Sequence, residues 1–345
     1  MKSDLVIKIA IVILLSMVTN KIVYFGYTPN YAADIFSRNA FNGRFDHDVY
    51  KYRILSKYLL FKVDDWLGQS MPEKGAEWRI AIQTPGGSQR FYLAFYYLNT
   101  FFLVLTSIMV VLLLHLDRSF QLSETERNLI LFLVPIVIGL SQYVVCCYDV
   151  SSYFFQLLIL YIFLKYIDRY RILTLLVIGA LLVISTLNRE SSALSVSMIV
   201  LLLLTRYGIN WQTLVSCCAL AACFMVTYAA LRYFIRDSSQ LHIINIQAGH
   251  LLIDTNIMGL FFWGLFFYLP FSMANSPENR WLIAVFFLFS LPYILTCLKD
   301  GVLWEVRLYV PLFIASTFLS KLNTSMHVIR LTDRSTLQIL RRQIQ

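Results

Sequence analysis

The chain has 345 residues, of which 58% are hydrophobic and only 14% are charged, and its formal net charge is +9. A soluble domain of this length could not bury so much apolar surface, so the composition excludes an ordinary soluble protein. The mean hydropathy of +0.65 and the grouping of apolar residues into long blocks indicate a polytopic membrane protein.

Ten apolar blocks have about the length needed to cross roughly 30 Å of hydrocarbon. We expect an all-α bundle in a single transmembrane domain, residues 1–345, because lipid offers no partners to exposed backbone groups and no alternating barrel pattern is present. The first block is predicted to be an uncleaved anchor instead of a secretory signal, since no small-residue cleavage site follows it. The predicted spans lie near residues 5–25, 91–116, 129–147, 151–167, 170–187, 192–208, 214–235, 258–274, 281–298 and 303–320.

The distribution of lysine and arginine predicts the orientation. With the N-terminus inside, the short inner loops are richer in basic residues than the short outer loops, and the basic tail 321–345 also lies inside. We therefore predict a multi-pass protein of the plasma (inner) membrane with both termini cytoplasmic. The net positive charge reflects this orientation and implies no nucleic-acid partner. The six cysteines show no metal-ligand spacing and are interpreted as small core residues.

The first outer segment, residues 26–90, is the largest predicted part outside the membrane. It contains "FDHD" followed by a stretch, residues 49–67, that alternates basic and aromatic side chains, such as Lys51 and Trp66. A helix of this composition is expected to lie along the membrane surface. The sequence thus predicts a long first outer loop with an amphipathic interfacial helix.

Charged and polar residues also mark the outer ends of later spans, in "CCYDVSS", "STLNRESSAL" and "GVLWEVRLYVP". Ionisable groups at membrane depth are costly and usually face the bundle interior or a water-filled cavity. Four separate segments carrying such groups to one face predict a single functional site. The candidate residues are Arg44, Asp46, Asp48, Arg53, Asp149, Asn188, Arg189, Glu190, Glu305 and Arg307.

Most of these residues also have a purely structural interpretation, which the sequence leaves open. Asp48 and Asp149 are suited to cap the helices that follow them, because aspartate accepts hydrogen bonds from exposed amides. Arg189 and Glu190 could pair with charges in neighbouring loops. Glu305 stands with an arginine in an apolar run, where a charge needs a partner, so function is favoured there.

A metal site in "LHIINIQAGHLLIDTNI" is a weaker hypothesis. His250 and Asp254 have the i, i+4 spacing of two ligands on one helical face, with His242 nearby. We favour ordinary interfacial residues. No Walker loop, GxGxxG, HExxH or GxSxG motif is present, so nucleotide-driven transport and the common hydrolase motifs have no sequence support.

The layout of these motifs resembles bacterial integral-membrane glycosyltransferases of the GT-C superfamily. The resemblance lies in the N-terminal anchor, the "FDHD" and "VYKYRIL" of the first outer loop, and the later "YDVSS", "LNRESSAL" and "EVRLYVPL". It implies transfer of a sugar from a polyprenyl-phosphate donor to a glycan or lipid-linked acceptor, with Asp46 or Asp48 as catalytic base. The chain departs from that group in being short, in lacking a large C-terminal outer domain, and in having no adjacent acidic pair.

Elementary chemistry agrees with this implication. A carboxylate near the acceptor hydroxyl activates it, and arginines hold a phosphate through a matching fork of donors. The expected phosphate ligands are Arg53, Arg189 and Arg307. The residues expected to orient them or the sugar hydroxyls are Asp149, Glu190 and Glu305. The residues identify no definite cofactor and leave the participation of a metal open; the acids could hold a divalent cation such as Mg²⁺ or Mn²⁺, which prefers oxygen ligands.

Three other functions compete with the transferase. An oligosaccharide polymerase (O-antigen-like) would use similar lipid-linked substrates, but a large outer loop late in the chain would favour it, and here the large loop comes first. A lipid-linked sugar transporter or flippase predicts repeats and broken helices near the membrane midplane. A structural subunit would leave the outer-face charges as incidental pairs. The sequence favours the transferase.

Overall fold

The computed structural model describes residues 2–27, 35–45, 48–70, 88–235 and 254–324. Within these ranges the regular secondary structure is helical, apart from one isolated β-bridge between Phe120 and Leu322. The predicted all-α class is therefore confirmed for this part of the chain. Its helices are α1 Lys2–Gly26, α2 Arg38–Phe45, α3 Ile54–Ser70, α4 Gln89–Leu114, α5 Glu124–Ser141, α6 Asp149–Tyr166, α7 Arg171–Asn188, α8 Ala193–Tyr207, α9 Trp211–Phe234, α10 Asp254–Met273, α11 Pro277–Phe289, α12 Leu291–Asp300 and α13 Val310–Ser320.

Several helices have the length and apolarity of membrane spans. Within the described ranges six helices qualify, or up to seven if α11 and α12, which meet at a bend of 56°, form one broken span. The protein is thus a multi-pass membrane protein. Of the remaining predicted spans, 151–167 matches α6, whereas 129–147 and 303–320 overlap α5 and α13 only in part. These three helices are not among those six or seven. The count of about ten spans stays a prediction.

Successive helices run between two ends of one bundle. At one end the start of α1 meets the start of α5, and Lys8 Nζ donates to Glu124 Oε1 at 3.0 Å. Lys321, which follows α13, pairs with Glu126 at the same end. At the other end α1 finishes beside the start of α4, and Tyr92 Oη donates to the Tyr24 carbonyl at 2.6 Å. We call these the lysine end and the arginine end; the second holds Arg53, Arg189 and Arg307.

Helix α6 occupies the centre of the bundle. It packs against α4, α7, α8 and α13, and most of its residues are buried. A helix that is apolar on every face must be surrounded by other helices or by lipid, and "VSSYFFQLLILYIFL" meets that condition. Because α6 begins at Asp149, this packing carries an acidic residue into the interior at the arginine end.

The predicted surface helix 49–67 is found as a short 3₁₀ turn, Asp48–Tyr52, followed by α3. Helix α3 lies across the arginine end, because Arg53 before it contacts Glu190 and Gly68 near its other end packs beside Arg90 at the start of α4. Its buried residues are Ser56, Leu60, Asp64 and Leu67. Its exposed large apolar residues are Ile54, Tyr58 and Trp66.

Candidate active site at the arginine end

A cavity of about 580 Å³ opens where the loops of the arginine end converge. Its walls come from the first segment, from the turns before α6 and after α7, and from α9, α12 and the loop that precedes α13. Of the seven predicted site residues whose side chains the structure describes, five line it, namely Arg53, Arg189, Glu190, Glu305 and Arg307. These residues are far apart in sequence, so the fold brings them together.

Arg53 contacts three residues of the cavity. Its Nε donates to Glu190 Oε2 at 3.0 Å and its Nη2 to Glu190 Oε1, which makes a two-pronged pair across 137 residues of sequence. The guanidinium also lies 3.9 Å from the centroid of the Tyr148 ring and 5.0 Å from that of Tyr50. Burial is the largest single influence and lowers the pKa of Arg53, but the charge and hydrogen bond of Glu190 together with Tyr148 outweigh it, so the pKa is raised above its usual value.

Asp149 lies between the other two arginines and is fully buried. Its Oδ1 is 2.5 Å from Arg189 Nη1, in an ion pair without a well-directed hydrogen bond, and its Oδ2 accepts from Arg307 Nη1 at 3.4 Å. As the first residue of α6, its negative charge also benefits from the helix dipole. The cap position is Tyr148, which makes no side-chain cap bond, so the carboxylate of Asp149 serves the arginines and does not cap the helix.

Arg307 is anchored by its near neighbour Glu305. The Arg307 Nε donates to Glu305 Oε2 at 2.7 Å, and both residues are almost completely buried. Its Nη1 donates to Cys146 Sγ at 2.9 Å and to Tyr148 Oη at 3.2 Å. The apolar surroundings require such a partner for each charge. With the pairs of Arg53 and Arg189, the site contains three guanidinium groups and three carboxylates of compensating charge.

Tyr148 is the residue that sequence reasoning missed. Arg53 and Arg189 approach its ring at 3.9 and 5.6 Å, while Arg307 donates to its hydroxyl. An aromatic face attracts cations, and burial raises the pKa of the phenol well above its usual value, so the neutral ring separates three like charges. Its position directly before Asp149 in "CCYDVSS" was the available signal.

Among the predicted substrate-binding residues whose side chains the structure describes, two do not line the cavity. Asn188 accepts from Ser151 Oγ at 2.8 Å and donates to the Tyr148 carbonyl at 3.0 Å, which fixes the turn before α6. Asp149 is buried behind Arg189 and Arg307, and it is absent from the cavity lining. Within the described residues both therefore act as positioning residues for the arginines and Tyr148.

The acidic motif of the first segment is only partly described. Asp46 lies outside the described residues, as do His242 and His250 of the metal hypothesis. For Arg44, Asp48 and Asp254 the structure gives the backbone alone. Arg44 belongs to α2 and Asp48 opens the 3₁₀ turn that leads to Arg53. The roles predicted for these side chains stay predictions.

A second charged cluster lies beneath α3. Asp64, which is 1% exposed, accepts from Arg90 Nε at 2.9 Å and from Arg38 Nη1 at 3.3 Å. These contacts tie α3 to α4 and to α2. In the part of the chain that the structure describes, no group of three or more His, Cys, Asp or Glu side chains is arranged to hold a metal ion.

Several donors at the cavity are left without hydrogen bonds. Arg53 Nη1 and Arg189 Nε are buried and have no hydrogen-bond partner among the described residues. An unsatisfied buried donor costs about 1–3 kcal/mol, and more when it is charged. Both groups belong to side chains that line the cavity. A bound molecule rich in acceptor oxygens would remove this cost.

Comparison with known proteins adds no family assignment. No protein-family model, curated protein or solved structure matches the chain.

Proposed function

We propose that the chain is a membrane glycosyltransferase that moves a sugar from a polyprenyl-phosphate donor to a glycan or lipid-linked acceptor at the outer face of a bacterial inner membrane. The observation that carries the proposal is the convergence of Arg53, Arg189 and Arg307 on one cavity. The resemblance of the polar motifs to GT-C enzymes supplies the reaction class.

The arginines are suited to the phosphate of such a donor. A guanidinium offers several donors in a fixed plane and stays charged when buried, so it matches the oxygens of a leaving phosphate. Arg53 and Arg189 each retain a buried donor group without a hydrogen bond to the described residues. In this proposal Glu190, Asp149 and Glu305 keep the cations in place, and the phosphate takes the remaining donors.

The catalytic base is proposed to be Asp48, with Asp46 as the alternative. Asp48 lies two residues before Tyr50 and five before Arg53, and both of those line the cavity. Consecutive Cα atoms are about 3.8 Å apart, so this segment passes close to the cavity. A carboxylate there would accept the proton of the acceptor hydroxyl as it attacks the sugar. A divalent cation at the acids is compatible with this chemistry.

The topology proposed for this reaction has about ten spans, both termini in the cytoplasm and the arginine end outside. It is supported by the alternation of the helices between two ends, with Lys8, Arg127, Arg206 and Lys321 at the lysine end. Helix α3, with Tyr58 and Trp66 exposed, then lies at the outer surface as the interfacial helix of the first outer loop.

A transporter is less well supported. Among the described residues the buried charged side chains lie at the ends of the bundle: Arg53, Asp64, Asp149, Arg189, Glu305 and Arg307 at the arginine end and Lys321 at the lysine end. A flippase needs a polar path through the membrane centre. The polymerase shares the cavity chemistry, so the acceptor must be tested directly.

The test is an assay of the purified protein in detergent with a panel of polyprenyl-phosphate sugars and glycan acceptors. Transfer of one sugar that is lost in an Arg307→Gln variant supports the proposal. Elongation of a lipid-linked oligosaccharide without any use of monosaccharide donors would identify a polymerase instead. Absence of transfer from every donor, with lipid-linked sugar moved intact between the leaflets of vesicles, would replace the transferase by a flippase.

A further inference from the structure

One side of the cavity is formed by two helices that reach the surface of the bundle. Phe224 and Tyr228 of α9 line it on one side, and Pro292 and Thr296 of α12 line it on the other. Pro292 and Thr296 are exposed as well as lining the cavity. The same residues thus contact both the interior space and the surroundings of the bundle.

These two helices are held by different neighbours. Helix α9 packs mainly on α7 and α8, whereas α12 packs on α11, and α9 and α12 make no extensive contact with each other. Helix α9 qualifies as a membrane span, and α12 is the second half of the bent pair. Within the described ranges the cavity therefore extends between α9 and α12, and we call the space between these two helices the lateral opening.

The side chains on the two sides of this opening are mainly aromatic or apolar, although the Tyr228 hydroxyl accepts from Arg232 Nη2 at 2.9 Å. The Thr296 hydroxyl donates to the Pro292 carbonyl at 2.8 Å, so its polar group is satisfied within the helix and its methyl group remains available. Phe224 and Tyr228 stack on each other, with ring centroids 5.7 Å apart. Because α9 has the length and apolarity of a membrane span, we expect this opening to face lipid on its outer side, while on its inner side it leads to the cavity lined by the buried arginines.

We propose that the hydrocarbon chain of the lipid phosphate leaves the cavity between α9 and α12, with Thr296 and Phe224 on opposite sides of the passage. The inference rests on the proposed function for the identity of the headgroup. An amphipathic ligand fits the arrangement, since its phosphate reaches Arg189 while its chain stays in hydrocarbon. A water-soluble sugar phosphate would have no use for a lateral route.

The first experiment uses the wild-type protein, so it does not depend on the folding of a variant. A long-chain polyprenyl phosphate with a diazirine in its chain is bound, irradiated and digested, and the labelled peptides are sequenced. We expect labels on α9 near Phe224 and on α12 near Thr296. Labels confined to other helices would overturn the passage while leaving phosphate binding, and the proposed function, intact.

The second experiment narrows the passage. Thr296→Trp is expected to weaken binding of the long-chain polyprenyl phosphate by at least about tenfold and to leave geranyl phosphate, which has the same headgroup and a short chain, unaffected. The matched control is Leu295→Trp, because Leu295 is exposed on the same helix but does not line the cavity. Its binding of both lipids should equal that of the wild type.

The outcomes separate the two proposals. Equal long-chain affinity in Thr296→Trp and Leu295→Trp, with wild-type binding intact, would overturn the passage alone. Loss of both lipids in Thr296→Trp assigns the residue to the headgroup site and also overturns the passage. A wild-type protein that binds neither polyprenyl phosphate nor geranyl phosphate would overturn the donor class of the proposed function, and the passage with it.

Discussion

Arg53 and Glu190 form a two-pronged ion pair that joins the first segment of the chain to the turn between α7 and α8, 137 residues away. The Arg53 side chain is 6% exposed and that of Glu190 37% exposed. Both residues line the cavity, so the pair holds the first segment against the turn between α7 and α8 at this wall. It also places Arg53 against Tyr148, whose hydroxyl contacts Arg307.

We expect Glu190→Gln to destabilise the protein, because Arg53 would keep its charge in a buried position without a carboxylate partner. A double-mutant cycle with Arg53→Gln should give a coupling free energy of about 1–3 kcal/mol, measured from unfolding in detergent. The expected coupling free energy is modest because Glu190 is partly exposed to solvent, which screens the pair. The matched pair is Arg206 with Asp168 at the lysine end, whose exposed acid should limit the coupling to about 0–1 kcal/mol. Equal coupling in the two cycles would contradict a special role for the first pair.

Asp149→Asn should be the most damaging single change at the site. The substitution keeps the shape of the side chain but leaves Arg189 and Arg307 facing each other across a neutral group, at a cost of about 3–5 kcal/mol. The thermal midpoint in detergent measures this loss. Ser152→Ala is the control, since Ser152 is buried one turn into α6 and, among the described residues, its hydroxyl bonds only to the backbone carbonyl of Asp149 in the same helix. Similar midpoints for the two variants would show that Asp149 does not hold the arginines.

Asp48→Asn is expected to lower the turnover of the transferase by about 10²–10⁴-fold while binding of polyprenyl phosphate is unchanged, because only proton transfer from the acceptor is lost. Asp46→Asn is the matched comparison two residues earlier in the chain. A steady-state assay with a separate binding measurement distinguishes the two effects. If Asp48→Asn keeps the wild-type turnover and Asp46→Asn loses it, then Asp46 and not Asp48 is the catalytic base.

The convergence of the arginines could be anticipated from the sequence, because a charged side chain next to an apolar run is costly in lipid and usually faces the bundle interior or a water-filled cavity. That argument applied to Arg189 and Arg307, and both line the cavity. The same argument could not distinguish a residue that lines the cavity from a residue that lies behind the lining and positions it. Asp149 and Asn188 carry the same kind of sequence signal, yet they lie behind the lining and position it.

Tyr148 and Asp64 show what a linear pattern does not contain. A tyrosine in an apolar protein is normally read as packing, and only the three-dimensional arrangement reveals three guanidinium groups around it. Asp64 belongs to a helix with many charges, where an acid is expected to face water. Its burial depends on Arg38 and Arg90, which come from other segments and meet it only in the folded chain.

The proposed topology predicts opposite labelling of the two ends. In a cysteine-free background, Gln69→Cys at the end of α3 should react with a membrane-impermeant maleimide in intact cells, because α3 lies across the arginine end. Arg118→Cys, in the exposed loop before α5, should react only after the membrane is permeabilised. Labelling of both positions in intact cells would contradict the placement of the two ends on opposite sides of the membrane.

The lysine end predicts a pH dependence of stability. Glu126 lies in the first turn of α5, before the predicted span 129–147, and its pKa is lowered to about 2 by Lys321 and by the backbone and hydroxyl of Ser123. A carboxylate whose folded pKa is depressed stabilises the folded state above its unfolded pKa, about 4.3 for glutamate, and this contribution is lost as the pH falls towards 2.

We therefore expect Glu126→Gln to lower the thermal midpoint at pH 6, and expect the difference from the wild type to shrink as the pH falls from about 5 to about 2. Thermal unfolding in detergent over this range measures it. In a Lys321→Met background the largest cause of the low pKa is gone, so the same substitution should show a smaller difference that disappears at higher pH. A difference in thermal midpoint that stays constant from pH 6 to 2 would contradict this prediction. It would mean that the charge of the Glu126 carboxylate does not contribute to stability.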